Sequence, residues 1–189
     1  DIVDVFFLHQ PADPLVGSDL ITNEAATKEN VLRLGVRLLQ TIKNYNDLGL
    51  SLGTVDLDSI VMELKGDKAF LKNDFFYTSS WTGEGFSAPA SAFTTHMEPH
   101  VAAGDAAPSF DGDIYAACSL LWTLLSGKHW SNAPDITKAP AYCSRELADL
   151  LLEGMRSGAA VYKDLNKALR NEASAESEAD KKILIRFDK

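Results

Sequence analysis

The chain has 189 residues, of which 46% are apolar and 24% are charged. That length and composition can bury one substantial core, so we predict a single domain over residues 1–189. The formal net charge of −9 argues against nucleic acid as a partner, because binding to phosphate backbones relies on clustered Lys and Arg. No segment has the composition of a signal peptide or of a membrane span, and we expect none.

The first predicted elements are a strand and a long helix. Residues 2–8 are rich in β-branched and aromatic side chains, which favours a strand, and prolines follow it in a turn. Residues 28–46 carry apolar side chains at helical spacing, which predicts an amphipathic helix. Thr27 is suited to cap the start of this helix, and Gly49 is suited to follow its end.

Residues 49–62 contain two glycines, a short polar stretch and then an apolar run. One interpretation is that Gly49 only ends the preceding helix and that residues 55–62 form an ordinary short strand. A second interpretation, which depends on the residue types at each position, is given below.

Residues 114–125 contain no charge and are apolar almost all round, which is typical of a helix buried on every side. Twelve such residues are too few to span a bilayer. Asp111 or Asp113 is expected to cap the start of this helix, and Gly127 to stop it.

The last part of the chain predicts another helix and a short apolar end. Leu147 and Leu151 belong to the apolar face of a helix that begins near Ser144. Residues 171–180 are polar and rich in alanine and acids, which is typical of a solvated linker or a helix end. The apolar run at residues 183–187 is expected to dock on the body of the domain.

The cysteines and histidines are the candidates for a disulfide and for a metal site. Cys118 and Cys143 are either a disulfide, which would indicate a secretory route, or two free thiols. His96 and His100 have a spacing found in zinc sites, but Pro99 breaks the helix that would bring them together. We therefore expect no metal site there.

The order of residue types in 49–62 resembles the catalytic loop of protein kinases, in which His-Arg-Asp is followed by Asn and a short strand. Leu52 stands at the His position, Gly53 at Arg, Thr54 at the catalytic Asp and Ser59 at the metal-binding Asn. Phosphoryl transfer needs a carboxylate and an amide oxygen at the last two positions. The resemblance therefore implies a pseudokinase, with no catalytic residue at Thr54 or Ser59.

Two later segments resemble further kinase landmarks. Ala88-Pro89-Ala90 resembles the Ala-Pro-Glu motif that closes the activation segment, with Ala in place of Glu. Residues 111–128 resemble the central buried helix of the kinase large lobe. In that family an Asp at the start of the helix tethers the backbone of the catalytic loop, and the resemblance assigns this role to Asp113.

The metal-binding Asp-Phe-Gly motif of kinases is expected between these landmarks, near residues 70–76. Either Asn73 or Asp74 takes the Asp position, and the motif is degraded in both alignments. Asp74 is the one residue in it with a carboxylate for a metal. The Gly-rich loop and the strand lysine of kinases have no counterpart in the chain, so we expect no ATP or magnesium cofactor.

The implied fold is mainly α: a helical domain like the kinase large (C-terminal) lobe, with a few short β-strands. Residues 1–20 would be the last small-lobe strand and the hinge, and residues 170–189 a C-terminal extension. The rest of the small lobe would be absent from this chain, which would then be either a fragment of a longer protein or the partner of a lobe supplied elsewhere.

The replaced catalytic loop is also similar to that of secreted rhoptry-type kinases and pseudokinases of apicomplexan parasites, which often carry Gly after the loop His, as Gly53 follows Leu52. This similarity implies export; without it, the cytoplasm is expected. The expected function is a scaffold or regulator that binds unidentified protein partners. The alternatives are a divergent ATP-dependent kinase that needs a separate small lobe, and a stand-alone lobe that binds peptides. An apolar groove near Phe75, Phe76 and Trp81 would favour partner binding, unless these aromatics belong to the core.

Overall fold

The computed structural model describes residues 14–19, 26–53, 55, 57–63, 68–71, 77–78, 95–178 and 184–185. This part of the chain is mainly helical with a few short strands, as predicted. The helices are α1 (Lys28–Asp47), α2 (Pro99–Ala102), α3 (Phe110–Leu125), α4 (Arg145–Ser157) and α5 (Tyr162–Glu178), with 3₁₀ turns at Leu57–Ser59 and Gly158–Val161. The strands are β1 (Pro14–Val16), β2 (Ala26–Thr27), β3 (Leu50–Ser51), β4 (Ile60–Glu63), β5 (Lys68–Leu71), β6 (Tyr77–Thr78) and β7 (Leu184–Ile185). The strand predicted at residues 2–8 lies outside the described residues.

The prediction of the first long helix is confirmed, including both ends. The Thr27 hydroxyl accepts a hydrogen bond from the Asn30 N–H at 3.1 Å, and the helix continues to Asp47. Gly49 follows with a φ of 74°. The apolar face of α1 packs against α3 and α5.

The strands are short and pair in three small antiparallel groups. β4 lies between β1 and β5, β3 pairs with β6, and β2 pairs with β7. The pairing of Thr27 with Leu184 confirms that the apolar run near the C-terminus docks on the body of the domain.

Helix α3 is the centre of the core, as its apolar sequence predicted. It packs against α1 on one side and α4 on the other, while α5 contacts both α1 and α4. The buried residues of α3 are Asp113, Ile114 and all of residues 116–125. Tyr115 alone among residues 113–125 is half-buried.

The N-cap of α3 differs from the prediction. Ser109 caps the helix, and its hydroxyl accepts from the Gly112 N–H at 3.1 Å. Asp111 instead accepts a hydrogen bond from the Ala159 N–H at 2.7 Å, and Asp113 points into the interior. Both carboxylates are therefore used by distant backbone groups, which leaves the cap to the hydroxyl that precedes them.

The predicted stop at Gly127 is confirmed. Gly127 has a φ of 73°, and its N–H donates to the Leu124 carbonyl at 3.0 Å. The Lys128 N–H donates to the Thr123 carbonyl at 3.1 Å, which completes the pair of bonds that ends many helices at a glycine.

Of the two interpretations of residues 171–180, the structure shows a helix over residues 171–178, and residues 179–180 lie outside the described residues. Helix α5 continues to Glu178, and Ala173 is buried against the core. Glu172 forms an ion pair with Lys28 at 2.8 Å and accepts hydrogen bonds from the N–H and the hydroxyl of Ser144. Glu172 and Ala173 thus contact α1, the start of α4 and the core.

Of the two options for the cysteines, the structure shows free thiols. Cys118 is fully buried on α3, and its sulfur faces Gly154 of α4. Cys143 lies just before the N-cap of α4, with its sulfur 4.0 Å from the Pro140 carbonyl oxygen. Burial raises the pKa of both thiols.

Candidate functional site

The Asp113 carboxylate binds the backbone of the loop that follows β3. Its Oδ2 accepts a hydrogen bond from the Leu52 N–H and its Oδ1 accepts one from the Gly53 N–H, both at 2.8 Å. Asp113 is 1% exposed, so water does not compete for these bonds. This is the contact that the resemblance implies for Asp113.

The loop itself is held by its apolar residues. Leu52 and Leu57 are fully buried, and Val55 and Ile60 are almost so. Gly53 has a φ of 70°, a conformation that residues with a side chain rarely adopt. The glycine therefore allows the turn that presents two successive N–H groups to one carboxylate.

The environment of Asp113 sets its proton affinity. Burial raises the pKa of this carboxyl to about 7, and the hydrogen bonds from Leu52 and Gly53 work in the opposite direction. The tether therefore has a titratable group at its centre, within the range of neutral pH.

Most of the other residues singled out from the sequence lie outside the described residues. These are the loop residue Thr54, the metal-motif residues Asn73 and Asp74, the motif residues Ala88 and Pro89, and the aromatics Phe75, Phe76 and Trp81. Ser59 is the last residue of the 3₁₀ turn that leads into β4. Of the residues named for the kinase motifs, the structure thus brings together Leu52, Gly53 and Asp113.

His96 forms a second polar cluster, which the sequence analysis missed. It is 5% exposed; its Nδ1 lies 2.8 Å from the Ser119 Oγ, and its Nε2 lies 2.6 Å from the Trp130 carbonyl oxygen. A carbonyl only accepts hydrogen bonds, so Nε2 carries a proton and donates it. His100 is exposed on α2, and Pro99 is the first residue of that short helix. The two histidines therefore face different environments.

A Ser next to a His is a pattern of nucleophilic enzymes, but this pair is built differently. Ser119 is 1% exposed in the middle of α3, so its oxygen has no open path to a substrate. The pair instead joins α3 to Trp130 in the segment before α4. The sequence carried one signal for this cluster: Ser119 and Thr123 are four residues apart on a helix that is otherwise apolar.

Residues 128–142, which we call the α3–α4 loop, are fastened to α3 at several points. The Trp122 Nε1–H donates to the Asp135 carbonyl at 3.0 Å, and the Tyr142 N–H donates to the Leu125 carbonyl at 3.0 Å. His96 holds the same loop through Trp130. The loop has no helix or strand of its own, so these contacts fix its path.

A pocket of about 560 Å³ lies between the α3–α4 loop and the end of α3. Its lining residues are Thr123, Ser126, Lys128, Asn132, Ala133, Asp135, Lys138, Ala139 and Ala141. A second pocket of about 550 Å³ lies on the other side of Ala141, where α1, α5 and the start of α4 meet. The Lys28–Glu172 ion pair occupies its wall.

Within the described ranges, no group of three His, Cys, Asp or Glu side chains is placed to hold a metal ion. In the same part of the chain, none of the helices combines the length and the apolar character that crossing a bilayer requires.

Comparisons with known proteins do not assign the chain to a family. No family model matches it, and no curated protein sequence matches it significantly. The class that the structure defines is a mainly helical protein whose buried central helix holds the backbone of a loop through one carboxylate.

Proposed function

We propose that this chain is a catalytically inactive domain that resembles the kinase large lobe and acts by binding protein partners. The observation that carries the proposal is the pair of hydrogen bonds from Leu52 and Gly53 to Asp113. In the kinase family the corresponding Asp holds the backbone of the catalytic loop. The same type of residue, at the start of a buried central helix, makes that contact here.

The residue types in the loop argue against phosphoryl transfer. Thr54 and Ser59 offer neutral hydroxyls where a kinase needs a carboxylate and an amide. Loss of a positioned general base costs on the order of 10²–10⁴ in rate. A loop backbone that is held in place without these side chains supports a binding role.

The alternative is a divergent ATP-dependent kinase that works with a separate small lobe. It is favoured by one sequence feature, the carboxylate of Asp74 in the segment where kinases bind magnesium. The two proposals differ in a property that can be measured directly, namely the affinity of this chain for ATP and magnesium.

Thermal unfolding with and without ATP and magnesium tests the proposal. We expect no change in Tm. A ligand present at about 100 times its Kd would add roughly 2.7 kcal/mol to the free energy of unfolding. For a domain of this size that corresponds to about 2–4 °C.

The variants Asp74→Ala and Asp58→Ala are a matched pair, because Asp58 is an exposed carboxylate in the 3₁₀ turn. An increase in Tm that Asp74→Ala removes and Asp58→Ala leaves in place would overturn the proposal in favour of the kinase alternative. An unchanged Tm in the wild-type chain shows that this chain alone binds no nucleotide, so the kinase alternative would then depend wholly on a separate small lobe.

A further inference from the structure

We propose that the α3–α4 loop is a site of proteolytic processing, at which a protease specific for basic residues cuts the chain between Lys138 and Ala139. The inference does not depend on the proposed function. It concerns the exposed part of a loop that the domain holds on both sides. Hydrolysis adds one water molecule across the peptide bond, so Lys138 gains a carboxylate and Ala139 gains an amino group.

The accessible part of the loop is the stretch of residues 136–139. All four residues are exposed, and none of them belongs to a helix or a strand. Ile136 is 54% exposed although its side chain is large and apolar, so the core holds this stretch only weakly. A protease has to bind the chain in an extended form, and exposed loop tips are the preferred places for that.

Hydrogen bonds to α3 hold the loop on either side of this stretch. The Trp122 Nε1–H donates to the Asp135 carbonyl, and the Tyr142 N–H donates to the Leu125 carbonyl, both at 3.0 Å. Both bonds lie outside residues 136–139. The stretch can therefore open to a protease while the rest of the loop stays attached to the central helix.

The side chain of Lys138 is accessible to such a protease. Trypsin-like proteases bind a basic side chain through an aspartate in their specificity pocket. Within the loop, the Asp135 carboxylate already accepts hydrogen bonds from the N–H and the hydroxyl of Thr137. Asp135 and Lys138 are both exposed, so water weakens their attraction and the lysine can leave at little cost.

Secondary structure protects the other lysines and arginines of the described residues. Besides Lys138, only Lys128 lies outside the helices and strands named above. The Lys128 N–H donates to the Thr123 carbonyl in the turn that ends α3, so a cut there requires the end of a buried helix to open. The remaining ones lie in α1, α4, α5 and β5, which must open locally before a protease can bind.

We expect the two pieces to stay together after the cut. The piece that ends at residue 138 contains α1 and α3, and the piece that begins at residue 139 contains α4 and α5. The four helices share one core, in which Leu151 and Leu165 are fully buried. Each such leucine contributes about 1.5–3 kcal/mol through burial, so the core outlasts the loss of one exposed peptide bond.

The cut acts on the pocket of about 560 Å³ at the end of α3. Lys138 and Ala139 both belong to its lining. Once the bond between them is broken, the two residues no longer restrain each other, and this part of the wall can move. Processing is therefore expected to widen the pocket while the fold is kept.

Limited digestion of the whole chain with trypsin tests the inference. We expect a cut after Lys138 that is at least about tenfold faster than cuts after Lys163 and Lys167 in α5, because those require the helix to open. Mass spectrometry identifies the piece that begins at Ala139. Size-exclusion chromatography in native buffer should return both pieces in one peak, and urea should separate them.

Three variants separate recognition of Lys138 from general loosening of the protein. Lys138→Gln should remove the cut, and Lys138→Arg should keep it because the side chain stays basic. Lys128→Gln is the matched control in the same loop and should leave the cut unchanged. Both positions are exposed, and a Tm close to that of the wild-type chain shows that the variants fold.

Three results would overturn the inference: cuts in α5 as fast as the cut after Lys138, a cut after Lys128 in its place, or a pattern that Lys138→Gln leaves unchanged. Pieces that separate in native buffer would show that the cut unfolds the domain, which also contradicts it. None of these results concerns nucleotide binding, so the inference and the proposed function stand or fail separately.

Discussion

Gly154 shows how closely the two central helices approach. A Cβ added to Gly154 of α4 would lie 2.4 Å from the Cys118 sulfur and 3.4 Å from a methyl carbon of Val161. Real Cβ atoms do not come this close to a neighbour. Cys118 is fully buried, and protein interiors are closely packed. The absence of a side chain at Gly154 therefore sets the distance between α3 and α4.

We predict that Gly154→Ala destabilises the protein by about 1–3 kcal/mol, the typical cost of overpacking a core. In an exposed helix the same change would stabilise by up to about 1 kcal/mol. Urea unfolding measures the difference. Cys118→Ala removes the sulfur, so the double variant should recover most of the loss.

Gly112→Ala is the control, since the nearest atom to its added Cβ is the Ser109 Oγ at 3.5 Å. It should be neutral or slightly stabilising. A Gly154→Ala variant as stable as Gly112→Ala would show that α4 shifts freely relative to α3.

At the scale of elements, the α3–α4 loop depends on side chains that come from elsewhere in the chain. His96 lies 34 residues before Trp130 and joins it to Ser119. Loss of both ring nitrogens would leave a buried hydroxyl and a carbonyl without this partner, at a cost of about 1–3 kcal/mol for each unsatisfied group. We expect this loss of stability to be local, because the cluster consists of His96, Ser119 and Trp130 and includes no residue of α1 or α5.

We predict that His96→Phe increases amide hydrogen exchange in residues 128–142 while exchange in α1 and α5 stays the same. Mass spectrometry of peptic fragments measures this region by region. His100→Phe changes an exposed histidine on α2 and should leave the loop unchanged. Equal exchange in the two variants would mean that the other contacts hold the loop without His96.

The sequence predicted the elements whose signal is local. Residues 114–125 carry no charge, which indicates a buried helix. The helical spacing of apolar residues that begins just after Thr27 indicates a capped amphipathic helix. Both signals lie within the element itself. The structure confirms both helices. The cap of α3 was assigned to the wrong residues because Asp111, Asp113 and Ser109 are all suitable by type.

Local sequence patterns did not predict the contacts between residues that are far apart in the chain. Asp113 binds residues about 60 positions earlier, and only the resemblance to kinases pointed to that contact. The sequence around His96 suggests only His100 as a partner, because nothing in its neighbourhood indicates Ser119 or Trp130. The pocket in the α3–α4 loop depends on the same contacts, so composition alone did not reveal it.

For the whole molecule, Asp113 links stability to pH. Its pKa is about 7 in the folded protein, compared with 3.8 as the ordinary value. The folded state therefore binds the proton more tightly, and the contribution of Asp113 to stability is largest at acid pH and is lost as pH rises through about 7. The effect is measured against a variant that lacks this group, so that the pH dependence of the rest of the protein cancels.

We predict that the stability difference between the wild-type chain and Asp113→Asn decreases by about 2 kcal/mol from about pH 5.5 to about pH 8.5. Asn does not titrate, and its amide NH₂ replaces one of the two acceptors that Leu52 and Gly53 use. The variant should therefore be less stable, and the deficit should be greatest at the acid end. Urea unfolding at several pH values gives the difference, and Asp111→Asn at the start of the same helix is the matched control. A deficit that grows with pH would show that the ionised carboxylate is the form that holds the loop, and that the two N–H donors outweigh burial.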